Sequence, residues 1–476
     1  MRLPILLLAM IVCLSSYATD LKIEGVVWIK GSKNKVKFTV AWNNSWRTDK
    51  NYDAAWIFFK FAASDHQPSF IHAKILATGH RMLSNHQSGS PKPGFEVTKD
   101  GVGFYVYPSA KYRGNVHWTI EVALDPAIIK DQIVSRGSTS ISAYGIEMVQ
   151  IPQAAFTIGE ADTALSRKNY SFFLSNENGK PSGLWKINSE SDPIPVGPEK
   201  GKLFYNSQVA LYNGDQKGIV PPEFPKGYKA FYIMKYETTQ GQYCNFLNST
   251  SEEGRKARSN FNEKDYYKFR GSIKVENGKF VAGSPNRPCN FFSWDDACAF
   301  ADWAGLRPMT ELEFEKACRG PLQPIPHEFP WNTNNKDRLK RMVSLNDDLV
   351  LTGDLKEGDL NENNRDQFGA SYYWVMDLAG SLWERCVTIG DATGRAYKGT
   401  HGDGNITVNG FATNDDWPKG STETSGFGFK GGGYYEHGMR VSEFNPHGPI
   451  GYRNYGSWPG GARSIAYGSR FVRSRD

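Results

Sequence analysis

Several features are missing from this chain of 476 residues, and each absence removes a class of function. No block of lysine and arginine occurs, and the formal charge of +6 is small for the length. A nucleic-acid partner would require that charge gathered into a patch, so none is expected. No P-loop, G-x-S-x-G elbow or H-E-x-x-H helix can be found. "GFGFKG", Gly426 to Gly431, satisfies G-x-G-x-x-G, but aromatic residues alternate through it and Tyr434-Tyr435 follow. It reads as strand, not as the strand-to-helix turn that cradles a pyrophosphate. Beyond the first twenty residues no apolar run reaches the ~20 residues of a membrane-spanning helix. Repeats and low-complexity blocks are also absent. Cysteine is scarce, with six in all and none after Cys386.

What is present is 48 glycines, 13 tryptophans and 23 tyrosines, in a chain 39% hydrophobic and 22% charged. That mixture suits a turn-rich fold with much irregular backbone and not a helical bundle. The length allows two or three domains. The opening "MRLPILLLAMIVCLSSYATD" has one arginine, an apolar run and a small-x-small site, which predicts a secretory signal at 1–18 cleaved near Ala18. The mature chain is then exported to the periplasm, the cell surface or the medium. Cys13 admits a lipid anchor, although Val12 stands where a small residue is wanted. The remaining five cysteines sit among apolar neighbours and read as buried thiols, with one bridge left open.

Residues 19–142 alternate with period two: Val36, Phe38, Val40 and Trp42, then Val102, Phe104 and Val106, then Val116, Trp118, Ile120 and Val122. This predicts a β-sandwich. His66, His72, His80 and His86 fall at irregular offsets and read as scattered histidines. A second unit, 143–476, carries the helices. Thr238 or Thr239 caps one. Ser293 with Asp296 opens a second that ends at Gly305. Thr310 with Glu313 opens a third that stops at Gly320.

Six segments in one order, "MVQIPQAAFTIGE", "YETTQGQYCNFL", "FFSWDDACAFADWAGLRPMTELEFEKACRG", "MDLAGSLWER", "FKGGGYYEHGMRV" and "GSRFVR", resemble the formylglycine-generating enzyme (sulfatase-modifying factor) superfamily. The resemblance covers residues 145–476. It implies an α+β, irregular C-type-lectin-like fold, here preceded by the β-sandwich domain, which resembles an accessory module of secreted bacterial proteins.

In the enzymes of that family two cysteines after the Gly-Gly turn hold copper and oxidise a sulfatase cysteine. The alignment places Glu436 and Val441 at those positions. Carboxylate suits harder ions than Cu(I) and valine binds nothing, so copper is not expected. Disulfide positions of the animal enzyme fall on Ala301, Pro446, Phe471 and Cys318, which leaves Cys318 without a mate. A second branch uses a three-histidine iron site from an extra helical domain, which the β-rich N-terminal module does not supply. "MDLAGSLWER" resembles the family's calcium loop, with Asp377 and Glu384 offering carboxylates and Gly380 and Leu382 offering carbonyls to a structural Ca²⁺. The alternative there is a turn with Glu384 in a salt bridge. Asn346 and Asp348 stand near the family's other calcium site without matching its spacing.

The functional expectation is a secreted binding or structural module of the bacterial envelope with a protein or peptide partner. Related non-catalytic members serve envelope machinery. Two rivals remain. One is an enzyme of altered chemistry using Glu436, His437 and His401, where an acid–histidine pair could move protons. The other is a glycan-binding module, with Tyr434, Tyr435, Trp458 and Tyr467 lining a groove.

Overall fold

The computed structural model describes residues 20–62, 70–127, 140–168, 170–259, 261, 265–343, 349–420, 426–436, 439–440, 448–458, 460 and 462–476. The N-terminal region forms β1 (Lys22–Trp28), β2 (Lys35–Arg47), β3 (Asp53–Ala62), β4 (Phe70–Ala73), β5 (Arg81–Asn85), β6 (Pro93–Val97), β7 (Phe104–Pro108) and β8 (Tyr112–Ala123), followed by β9 (Ile141–Ile151). One sheet runs β1-β2-β8-β5. The predicted alternation holds: Val36, Phe38, Val40 and Trp42 of β2 and Val116, Trp118, Ile120 and Val122 of β8 point into one core. Across it lie Ala55, Ile57, Phe59 and Phe61 of β3 with Phe104 and Val106 of β7.

The second sheet of this sandwich does not stop at the N-terminal region. Its order is Arg307–Pro308, Phe471–Ser474, Phe231–Met234, β9, β3, β7, β6, with β4 paired to β3. β9 is therefore hydrogen-bonded on one edge to β3 and on the other to Phe231–Met234. The expected boundary between residues 142 and 143 cuts through β9, a shared central strand. The reason lies in β3, "DAAWIFFKFA", buried along nearly its whole length. Its odd-numbered residues face the sandwich core. Ala54, Trp56 and Phe58 face the other way, into the main core of the C-terminal region. Trp56 Nε1 donates to the Ala304 carbonyl at 2.8 Å, and Phe58 meets Trp303 edge-on at 5.1 Å. A strand covered on both faces reads as a continuous apolar run, without the alternation that marks a half-buried one.

The three helices start where their local chemistry requires. Thr239 caps Gln240–Asn248, Ser293 caps Trp294–Trp303 and Thr310 caps Glu311–Arg319. Each has a reciprocal box, closed by Gln242, Asp296 and Glu313. All five cysteines from Cys244 onward are buried and free, so none forms the bridge left open from the sequence. Of the histidine group, His66 lies outside the described residues. His72 contacts the Val102 carbonyl, His80 the Leu76 carbonyl, and His86 Ser84 and Thr119. Among the described residues no three His, Cys, Asp or Glu side chains converge as a metal site, and no helix is long and apolar enough to cross a membrane.

Candidate functional site: the glycine turn and its support

Strand Phe427–Lys430 pairs with Trp383–Val387 and runs into the triple glycine. Gly431 and Gly432 hold φ of 88° and 69°, in the left-handed region where a Cβ is costly. A Cβ on Gly431 would stand 2.9 Å from the Leu378 carbonyl oxygen, and one on Gly433 2.9 Å from the Trp383 ring. The turn is thus pressed onto the 377–383 loop and hydrogen-bonded to it. Gly380 N–H donates to the carbonyls of Gly431 and Gly432 at 3.2 and 3.1 Å, and Tyr434 N–H donates to Ser381 O at 2.8 Å. Beyond it, Tyr435–Glu436 pairs with Met439–Arg440 as a short hairpin. His437 and Val441 lie outside the described residues, so the Glu436–His437 pair is placed only by the backbone of Glu436.

Below the turn is a buried charge cluster. Glu384 and Arg470 form a two-point pair, Nε to Oε2 at 2.6 Å and Nη2 to Oε1 at 2.7 Å, both side chains fully enclosed. Arg470 also donates to the Asp377 carbonyl at 3.1 Å. Asp377, itself at φ 57°, ion-pairs through Oδ1 with Arg341, while its Oδ2 is buried without a hydrogen-bond partner. Glu237 accepts the Leu382 N–H at 2.9 Å through Oε1, and its Oε2 is likewise buried and unpartnered. Burial, and then the charge of Glu384, pushes Glu237 up to about 8.

For calcium this arrangement is mixed, because Glu384 and Asp377 are each already paired with an arginine. The alternative expected for Glu384, a salt bridge, is present. Yet a carboxylate has about four lone-pair sites, of which Arg470 takes two. Asp377 Oδ2 is buried without a hydrogen-bond partner, although Arg341 already meets the charge of that carboxylate through Oδ1. Asp377 and Glu384, with the Gly380 and Leu382 carbonyls, would hold the ion. Asn346 and Asp348 lie outside the described residues.

His401 is not a proton shuttle. Its Nε2 accepts the Ser474 backbone N–H at 3.0 Å. Burial, helped by Arg473 and Arg307, drives its pKa down to about 2, so the ring is neutral and spent on the C-terminal strand. Of the aromatic set, Tyr434 belongs to the core, with Arg270 4.6 Å above its ring. Nothing is described of the Tyr435 side chain. Trp458 and Tyr467 are half-buried and 5.9 Å apart, grouped with Tyr455 and Phe429. Sequence reasoning did not select Glu237, Arg341 or Arg470. Glu237 and Arg470 lie inside "YETTQ" and "GSRFVR", segments that carried the resemblance, but no spacing rule joins them to Glu384.

No cysteine follows the glycine turn in the sequence. Cys386, five residues beyond Ser381 on the adjacent strand, is fully buried, and burial raises its thiol well above the ordinary value. Residues 199–473, more than half of the chain, match the sulfatase-modifying factor enzyme 1-like domain. The formylglycine-generating enzyme of Streptomyces coelicolor is 52% identical over 107 residues, covering 22% of this chain and 33% of that protein. The formylglycine-generating enzyme of Bos taurus is 25% identical over 184 residues, 33% of this chain and 48% of the relative. Hercynine oxygenase of Mycobacterium tuberculosis is 28% identical over 115 residues, 22% of this chain and 27% of the relative. Each match spans less than half of the relative's length.

Proposed function

Because the chain belongs to the sulfatase-modifying factor enzyme 1-like family, we propose that it keeps the family's C-type-lectin-like scaffold without the copper oxidase chemistry. It acts as a secreted, calcium-stabilised binding or structural module of the bacterial envelope, with a protein or peptide partner. The observation that carries this reading is the residue pair after the glycine turn, Glu436 and Val441, where the oxidase places two cysteines. No cysteine follows Cys386, and the five from Cys244 onward are buried, which disfavours their thiolate forms. When bound, calcium would supply only fixed positive charge beneath the turn, held by Asp377 and Glu384. The half-buried group of Tyr455, Trp458 and Tyr467 favours a ring-lined surface for the partner, and a sugar face would suit it as well as a peptide.

The test is turnover of a sulfatase-derived cysteine peptide by purified protein incubated with copper and then freed of unbound metal, with metal analysis of the same sample. No aldehyde product and no stoichiometric copper are expected. Conversion to formylglycine, or one tightly held copper per chain, would overturn the proposal. An envelope pull-down with the mature chain then identifies the partner.

A further inference from the structure

On the outer face of the β1-β2-β8-β5 sheet, two histidines meet across a strand pair. β5 and β8 pair Ser84 with Thr119 and Asn85 with Trp118. The next step sets His86 opposite His117, and His86 N–H donates to the His117 carbonyl at 2.8 Å. Directly opposed residues send their side chains to the same face of the sheet. Trp118 points into the core, so its neighbour His117 points the other way, toward solvent. His86 is exposed and His117 half-buried. Ala41, opposite His117 on β2, is too short to cover the ring.

The two rings are 4.7 Å apart between centroids and tilted by 44°. Imidazoles sharing one metal ion, with nitrogens at about 2.0–2.1 Å and a ligand angle of about 90–110°, have centres about 4.5–5.2 Å apart. The spacing of this pair falls in that range. His86 Nε2 lies 2.9 Å from Ser84 Oγ and 2.8 Å from Thr119 Oγ1, which is itself 2.9 Å from Thr39 Oγ1. A proton on Nε2 serves these hydroxyls and leaves Nδ1 its lone pair, the outer-shell support common to metal-binding histidines. Among the described residues the His117 ring has no hydrogen-bond partner. Rotation about its Cβ–Cγ bond therefore presents either nitrogen without breaking a contact.

We propose that His86 and His117 together bind a divalent transition-metal ion of the zinc class on the outer face of this sheet. Neutral imidazole is a ligand such ions favour. Among the described residues no third His, Cys, Asp or Glu side chain joins the pair. The remaining coordination positions face solvent, so water fills them and the ion enters without any opening of the fold. Two protein ligands do not make the closed four-ligand cage of a structural zinc, so the ion bound here exchanges with solution. The site uses no residue of the glycine turn and does not depend on the function proposed for it.

The probe is zinc alone, titrated calorimetrically into the chelator-treated full mature chain in saturating calcium, which competes for the Asp377 loop. Wild type should bind one zinc per chain. His86→Ala and His117→Ala should each weaken binding by about tenfold or more. Their unfolding midpoints should stay close to wild type, because both rings stand outside the core. Copper takes imidazole ligands as well. Bound to wild type, it should show nitrogen couplings from two imidazoles in electron paramagnetic resonance, reduced to one in either variant. Copper lost in His117→Ala belongs to this pair, which separates it from any copper held at the glycine turn. No saturable zinc binding by wild type, or less than a tenfold loss in either variant, would overturn the proposal.

Discussion

Lys235→Met is the most informative single substitution. Lys235 follows the strand Phe231–Met234 of the C-terminal region, and its ammonium lies 3.0 Å from Glu147 Oε2 on β9 and 3.5 Å from Asp53 Oδ2 on β3. All three side chains are buried. Asp53 keeps its hydrogen bonds from Trp42, Ser45 and Trp46, but methionine removes the Lys235 ammonium from both carboxylates. Removing one partner of a buried ion network costs about 3–5 kcal/mol, because the remaining charges stay desolvated. Urea unfolding at pH 7, followed by both far-ultraviolet circular dichroism and tryptophan fluorescence, reads the loss as a lower midpoint at unchanged slope. The deficit has a pH signature. Burial already raises Asp53, and loss of Lys235 raises it further. A carboxyl raised in the folded state carries its penalty above that raised pKa and sheds it as pH falls through it, so the variant should approach wild type in acid. A loss under about 1 kcal/mol would refute the network argument. Because β9 is shared, the N-terminal sheet and the C-terminal region should unfold together, and two separated transitions in wild type would refute that.

Gly404→Ala should destabilise by about 3 kcal/mol in the same assay, because the new Cβ would stand 1.9 Å from His72 Nδ1 at a φ of 88°; a neutral result would mean that the 400–405 loop is free to move off β4. Lys60 donates to the Gly404 carbonyl at 2.5 Å from a fully buried position, and burial lowers its pKa from 10.5 to about 7. Between about pH 7 and 10.5 the unfolded chain binds a proton that the folded chain does not, so stability rises with pH across that window by up to about 1.4 kcal/mol per unit. Lys60→Met should flatten that slope, and an unchanged slope would reassign it. Calcium at 100 times its dissociation constant should add about 2.7 kcal/mol, lost with chelator and in Asp377→Ala; a chelator-insensitive midpoint would remove calcium from the proposed function.

How much could be read from the chain depended on how far apart the interacting groups lie in it. The caps Thr239, Ser293 and Thr310 were legible because an N-cap and its N3 partner are three residues apart, and the backbone supplies the rest. The alternation of β2 and β8 was legible because one face is core and the other wet. β3 and β9 misled the domain boundary for the opposite reason. Both faces of β3 are covered, one by each core, so its pattern carries no sign of two neighbours. The charge cluster was illegible in detail, since Glu384 meets Arg470 across 86 residues and Glu237 meets Leu382 across 145.

By itself, the sequence determined the local structure and the chemical limit of the site. The glycines demand a tight turn, and the lack of any cysteine after Cys386 is a fact of composition that no folding can change. The tertiary structure alone decided which polar groups are consumed. His401 was an open histidine in sequence and became a neutral acceptor for Ser474, because its loop packs against the last strand of the sheet. It also decided that the two regions share one sheet, since backbone donors and acceptors on both edges of β9 had to be paired, and the partners that fit lay on either side of the supposed boundary.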